Sequence, residues 1–276
     1  MQSVSSRRTF LKMPAALAAS GPLAALAAAA EAEDLKLGVA TYSLRKFPRA
    51  RAIEMIKELG VRYVSIKSFH LPYELPPAEL AAGAKEFRDA GLTVLSGGNI
   101  DLKNPAELRR MFEYAKAAGM PMIVCAPSHE TLPEVEKLVK EYDIRAAIHN
   151  HGPEDKYFPT PKSVLDAVHG RDPRLGLCID IGHTARTGAD ILESIREAGA
   201  RLFDVHVKDL KDTSARAVQV AVGDGVLPIV GMLRLLKKMN YQGGVMLEYE
   251  IYPDNPLPGM HRSIGYMRGV LAGMRG

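Results

Sequence analysis

Four short apolar runs in the second half of the chain each finish on side chains able to hold a divalent metal ion. They read Ala147-Ile148-His149-Asn150-His151-Gly152, Cys178-Ile179-Asp180-Ile181-Gly182-His183, Asp204-Val205-His206-Val207-Lys208-Asp209 and Val245-Met246-Leu247-Glu248-Tyr249. Imidazole nitrogens and carboxylate oxygens are the usual ligands of zinc and its neighbours, and a site forms when several arrive together from separate elements. An extended strand sends alternate residues to one face. His149 therefore shares a face with His151, His206 with Asp204 and Lys208, and Glu248 with Glu250. A single histidine in an apolar strand is ordinarily a hydrogen-bonded core residue. Four strand ends that all carry such groups argue instead for one divalent ion held by His149, Asp180, His206 and Glu248. The competing arrangement is a salt-bridged polar cluster without metal.

Side chains so placed need strands whose ends meet at one mouth, and the rest of the chain supplies them. Short β-branched runs recur at Leu37 to Ser43, Tyr63 to Ser68, Thr93 to Gly98, Met122 to Pro127, Arg145 to His151, Leu175 to Gly182, Leu202 to Lys208 and Gly244 to Tyr249. Between them, apolar residues three and four apart mark helices at Ala50 to Leu59, Ala78 to Ala90, Ala106 to Ala118, Leu132 to Glu141, Thr160 to Val168, Asp190 to Ala198, Leu227 to Met239 and Met260 to Met274. Strand and helix in strict alternation predict an α/β fold, a (β/α)8 TIM barrel over residues 31–276, with its chemistry at the C-terminal ends of the strands. An open doubly wound sheet is the other arrangement such alternation permits. Cys125 and Cys178 fall in different strands with one strand between them, so both are expected as buried thiols.

Other residues reach the same mouth. Lys67 ends the second strand, and His70 and Glu154 lie in the loops beyond strands two and five; all three are candidate substrate contacts. Lys208 could bind a substrate oxygen or steady a developing enolate, or stand solvated at the strand end. Tyr42, Phe69, Tyr73, Tyr157 and Phe158 are candidate stacking surfaces. With no Trp in the chain, an extended glycan platform is not expected.

Asp180-Ile-Gly-His183, Asp204-Val-His206-Val-Lys208-Asp209 and Leu247-Glu248-Tyr249 resemble the successive metal and substrate motifs of the xylose isomerase-like superfamily of TIM barrels, most closely its sugar phosphate isomerase/epimerase branch. That superfamily includes sugar isomerases, ketose 3-epimerases, inosose dehydratases and endonuclease IV. The resemblance spans essentially all of the chain after its first 30 residues and implies a metal-dependent enzyme. One position departs from the pattern. Relatives usually carry Leu-Glu-Asn-His on the fifth strand where this chain has Ile148-His149-Asn150-His151, so His149 would take the place of a glutamate ligand. The site loses one negative charge, which favours Zn²⁺, Mn²⁺, Co²⁺ or Fe²⁺ over the oxygen-seeking Mg²⁺. His151, two residues nearer solvent, then becomes the candidate general base, with a ligand or ligand-supporting role as the alternative. His183 matches the family's substrate-contacting or acid/base histidine, with a loop-capping role as its alternative.

Three classes of function fit these residues. The first is an isomerase, an epimerase or a β-eliminating lyase acting on an unphosphorylated sugar, keto sugar, glycoside or cyclitol by proton abstraction beside a carbonyl. The second is a metal nuclease of endonuclease IV type, and the third a non-catalytic sugar-binding barrel. Asn99 and His149 stand where a multi-zinc nuclease would need further ligands, and the charge is wrong for nucleic acid: the formal +4 includes Arg7, Arg8 and Lys12, whose removal leaves +1. Those three residues open residues 1–30, where Ser6-Arg7-Arg8-Thr9-Phe10-Leu11-Lys12 and a following Ala/Leu-rich stretch resemble a cleavable twin-arginine export signal. The run is short and weakly hydrophobic, so cleavage is expected over a stable membrane anchor, with delivery to the periplasm or another exported location. Replacing Arg7 and Arg8 together with Lys is expected to leave unprocessed precursor in the cytoplasm; normal processing, followed by immunoblot of the fractions, would exclude the twin-arginine assignment. The oligomeric state is left open, and a small carbohydrate is the one partner expected.

Overall fold

Parallel strands that are covered on both faces need apolar residues at successive positions, and the runs above have that character. The structure, a computed structural model, describes residues 35–275, so the leader assigned to residues 1–30 lies outside the described residues. The strands are β1 (Lys36–Ala40), β2 (Tyr63–Ile66), β3 (Thr93–Leu102), β4 (Met122–Pro127), β5 (Arg145–His149), β6 (Leu175–Asp180), β7 (Leu202–Val207), β8 (Asp209–Leu210), β9 (Gln219–Val220) and β10 (Gly244–Leu247). The helices are α1 (Arg49–Glu58), α2 (Pro77–Asp89), α3 (Leu108–Ala117), α4 (Leu132–Tyr142), α5 (Pro161–Val168), α6 (Ile181–Arg186), α7 (Ile191–Ala198), α8 (Ile229–Lys238) and α9 (Leu257–Gly273).

Strand β1 pairs in parallel with both β2 and β10, which closes the ring in the order β1-β10-β7-β6-β5-β4-β3-β2. Closure decides for the TIM barrel against the open sheet. Every residue of β4, β6 and β7 is buried. Their outward side chains join a core with the helices that includes Ile56, Phe87, Phe112, Leu138 and Leu236. Fully burying each such side chain contributes roughly 1.5–3 kcal/mol. The inward side chains Met122, Val124, Ala147, Cys178 and Phe203 fill part of the barrel itself. Both cysteines are free and buried, as their strands require.

The structure corrects the expected ends of several strands. β5 stops at His149 and β6 at Asp180, each earlier than the hydrophobic pattern suggested. The Asp180 carboxylate accepts the His183 backbone N–H at 2.8 Å, which caps α6 and turns the chain out of the sheet. β1 gives way at Thr41 to a 3₁₀ turn, whose Thr41 hydroxyl accepts the Lys67 N–H and so helps end β2 as well. The hydrophobic pattern gives no sign of the small antiparallel pair β8–β9 or of the six-residue helix α6. Two-residue strands are too short to show any period.

Candidate metal centre and active site

Strands β5, β6, β7 and β10 are neighbours in the ring, and their ends bring four donor atoms together: His149 Nε2, Asp180 Oδ2, His206 Nδ1 and Glu248 Oε2. His149 Nε2 lies 3.1 Å from His206 Nδ1 and 3.5 Å from Asp180 Oδ2, and His206 Nδ1 lies 3.3 Å from Glu248 Oε2. One donor atom from each of the four residues falls within 4.8 Å of all the others. Bonds of about 2.0–2.1 Å around one ion in tetrahedral geometry place donors roughly 3.3–3.4 Å apart, so the observed spacing fits a divalent metal site. Two imidazole nitrogens facing one another beside two carboxylates is also the arrangement that a shared cation resolves. The β5 sequence shows how this is built. His149 and His151 point inward, while the Asn150 amide between them accepts the Asp180 N–H at 3.0 Å and donates to the Thr184 hydroxyl at 3.1 Å, fixing β6 against β5.

Three of the four groups are in the protonation state a ligand needs. For the fourth, burial would lower the His206 imidazole but Cys178 and Glu248 beside it hold it well above its ordinary value, so an arriving ion must displace its proton. Burial pushes the His149 imidazole down to about 3, so it stays neutral with a free lone pair. Burial alone would raise the Asp180 and Glu248 carboxyls, but the Lys208 ammonium beside both holds them well below the usual carboxylate range. Lys208 is itself almost inaccessible. Its Nζ lies 3.0 Å from Asp180 Oδ2, 3.0 Å from Glu248 Oε2 and 2.9 Å from Glu250 Oε2. An ammonium has three protons, and three carboxylates take them. The solvated lysine considered above is therefore excluded, and no proton remains for a substrate oxygen in this arrangement.

Above these groups opens a cavity of about 240 Å³, lined by Tyr42, Lys67 and Asn99 on one side and by His149, His151, His183, Glu248 and Glu250 on the other. It is smaller than the roughly 300–1,000 Å³ of sites for drug-sized ligands, and suits a single sugar ring. The His149 and His151 rings are 4.3 Å apart, with His183 5.7 Å from His151. Lys67 lines the wall and donates to the Asn99 carbonyl. Two expected substrate contacts do not reach this cavity. His70 is 1% exposed, with Nε2 3.2 Å from the Leu44 carbonyl, because its loop folds back under the first βα turn. Glu154 faces solvent and pairs with Arg186, whose Nη1 lies 3.2 Å from His183 Nδ1. Of the aromatic candidates, Tyr42 lines the wall with Phe69 5.9 Å from it, whereas Tyr73 packs on Tyr114, and Tyr157 and Phe158 pack on His129.

Several residues that shape the site hold positions in it that the sequence does not disclose. Asp155 Oδ2 lies 3.2 Å from His151 Nδ1, and Asp155 Oδ1 accepts the Tyr157 and Phe158 N–H groups, so the loop presents a fixed carboxylate to one side of the ring. Asn99 Nδ2 lies 2.7 Å from His151 Nε2 on the other side. Gln219, on β9, donates to the Glu248 carbonyl at 2.7 Å and accepts the Glu250 N–H at 2.9 Å, standing in for a neighbouring strand beside β10. Asp209 is buried, and its carboxylate accepts N–H groups from Gly223, Gly225 and Leu227 at 2.9, 3.2 and 3.0 Å. A side chain at Gly225 would collide with that carboxylate. Asp209→Ala would orphan these donors and is expected to lower unfolding stability by about 3–5 kcal/mol, read from a urea midpoint; a loss below about 1 kcal/mol would show that water replaces the carboxylate.

Comparison with known proteins places this geometry. Over 150 residues the chain is 24% identical to the rhizopine catabolism protein MocC of Rhizobium meliloti, covering 49% of this chain and 46% of that protein. Over 144 residues it is 26% identical to an inosose dehydratase of Clostridium tetani, covering 46% and 48% respectively. The chain thus spans about half the length of the curated relatives it matches. A crystal structure of the IolI protein with a bound zinc atom superposes with a TM-score of 0.74 over 87% of this chain and 99% of its own, at 18% identity, a likeness of fold. The family model for the xylose isomerase-like TIM barrel matches residues 53–270, nearly the whole barrel. By that match, and with a closed eight-stranded barrel to bear it out, the chain belongs to the xylose isomerase-like TIM barrel family.

Proposed function

We propose that the protein is a divalent-metal-dependent enzyme that moves a proton beside a carbonyl in a small unphosphorylated sugar, glycoside or cyclitol, by isomerisation, epimerisation or β-elimination from a keto sugar. The observation that carries this reading is the convergence of His149, Asp180, His206 and Glu248 beneath a cavity whose walls hold two further histidines. A divalent ion held by those four residues would polarise a substrate carbonyl and acidify the neighbouring C–H. The His149 substitution and the zinc of the IolI structure both favour Zn²⁺, Mn²⁺, Co²⁺ or Fe²⁺ over Mg²⁺.

His151 is the base in this reading. Asp155 Oδ2 lies 3.2 Å from Nδ1, and Nε2 turns toward the cavity, where the Asn99 amide occupies the place that a substrate proton would take. Burial and the nearby His183 push the His151 imidazole below its ordinary value, so it is neutral and able to accept a proton at neutral pH. Lys67 and His183 serve as hydrogen-bonding partners for substrate oxygens. Phosphate is disfavoured: the N–H groups of Gly223 and Gly225, which could have cradled an anion, are already taken by Asp209.

The inosose dehydratase relative supports elimination within this class. The nuclease reading lacks the positive charge that nucleic acid demands, the chain carrying a net +1 beyond residue 30, and the binding-protein reading leaves the close approach of Asp155 to His151 unexplained. Metal analysis of the folded protein, followed by a screen of sugars, inososes and keto glycosides in D₂O, tests the proposal. Metal-dependent deuterium incorporation at one carbon is expected; a metal-loaded protein that exchanges no substrate proton would leave only binding.

A further inference from the structure

Lys208 contacts the same two oxygens that belong to the four-atom donor set. Its Nζ is 3.0 Å from Asp180 Oδ2 and 3.0 Å from Glu248 Oε2, and Glu250 Oε2 at 2.9 Å completes its shell. The side chain is 3% exposed, and its stem runs across Gly182, where a Cβ would meet Lys208 Cγ and Cδ at 2.5 and 2.6 Å. Packing therefore leaves the ammonium little freedom to withdraw. Two carboxylates brought together in a buried site repel each other unless a cation lies between them. Here the chain brings its own.

We propose that Lys208 is a tethered counter-cation that keeps the metal site assembled in the metal-free protein and, by sharing the Asp180 and Glu248 oxygens, weakens and tunes the affinity for the divalent ion. This rests on the metal reading above. The ion arriving at the donor set meets oxygens whose negative charge is already partly compensated, and it is repelled by a positive charge that cannot leave. Glu250, which is not one of the four donors, gives the ammonium a third partner, so that lysine and metal ion can share the carboxylates without full exchange. Lys208 is accordingly a positioning residue and not a catalytic acid.

The test is the dissociation constant for Mn²⁺ alone, read from the electron paramagnetic resonance signal of the free ion, with thermal melting of the stripped and the Mn²⁺-loaded protein. Lys208→Met and Lys208→Gln are compared with wild type, one variant apolar and one polar, both uncharged. Both are expected to bind Mn²⁺ at least about tenfold more tightly, and to melt lower than wild type when stripped, so that the metal-induced rise in Tm grows. A variant that folds only when Mn²⁺ is present supports the proposal in stronger form, because the metal has replaced the ammonium. Equal or weaker affinity in either folded variant overturns it, as does a variant that fails to fold even with Mn²⁺. If neither wild type nor variants bind Mn²⁺ at millimolar concentration, the metal reading itself falls along with the proposal. Binding by wild type without tightening in the variants refutes the role of Lys208 alone.

Discussion

Asp180→Ala is expected to yield a folded barrel that no longer retains a divalent ion and no longer turns over. Asp180 is wholly buried, it supplies one of the four converging donor atoms, and its other oxygen caps α6 through the His183 N–H. Loss of a partner to a metal ligand already costs 10–100-fold in affinity, so loss of the ligand itself should cost roughly 10²-fold or more. The cap accounts for about 0.5–2 kcal/mol, too little to unfold a barrel of this size. Metal content by mass spectrometry and helicity by circular dichroism separate the two effects. Full metal occupancy in a folded variant would remove Asp180 from the ligand set, and the cluster would then revert to a salt-bridged network around Lys208.

His151→Gln should show the opposite division, retained metal with turnover lowered by roughly 10² to 10⁴, the usual contribution of a general base. His149 and His151 point to the same side of one strand end, but their side chains are 3% and 31% exposed, which assigns the first to the buried donor set and the second to the cavity wall. Glutamine keeps a polar group of similar reach between Asn99 and Asp155 but cannot accept the proton. Substrate KM should change less than kcat. Loss of metal in this variant would make His151 a ligand and move the search for the base to His183; unaltered turnover would leave His151 neither.

The barrel was legible because eight apolar runs alternate with eight amphipathic ones, and only closure, a relation between the first strand and the last, needed coordinates. The four candidate ligands were legible for the same reason: strand parity and strand ends are local properties. What could not be read was anything decided across strands. Lys208 looked like a mouth lysine because its three carboxylate partners lie on β6 and beyond β10, far away in sequence. Glu154 faces solvent and its neighbour Asp155 faces His151, a distinction no sequence periodicity makes between two adjacent loop acids. His70, a candidate substrate contact by its place in the loop beyond the second strand, is instead buried by that loop against Leu44.

The two cysteines lend themselves to a different use. Cys178 faces the barrel interior with Ala147 and Phe203, while Cys125, two strands away, belongs to the layer between barrel and helices. Neither thiol is accessible. Burial also pushes the Cys178 thiol up to about 12 and raises the Cys125 thiol further, so neither reacts as a thiolate while the fold is closed. Alkylation of each should therefore clock a separate event: peeling of the helical shell for Cys125, and parting of the strand staves for Cys178. If the shell loosens before the ring opens, the two labels will appear in that order. Unfolding in a single concerted step will mark both thiols at one rate.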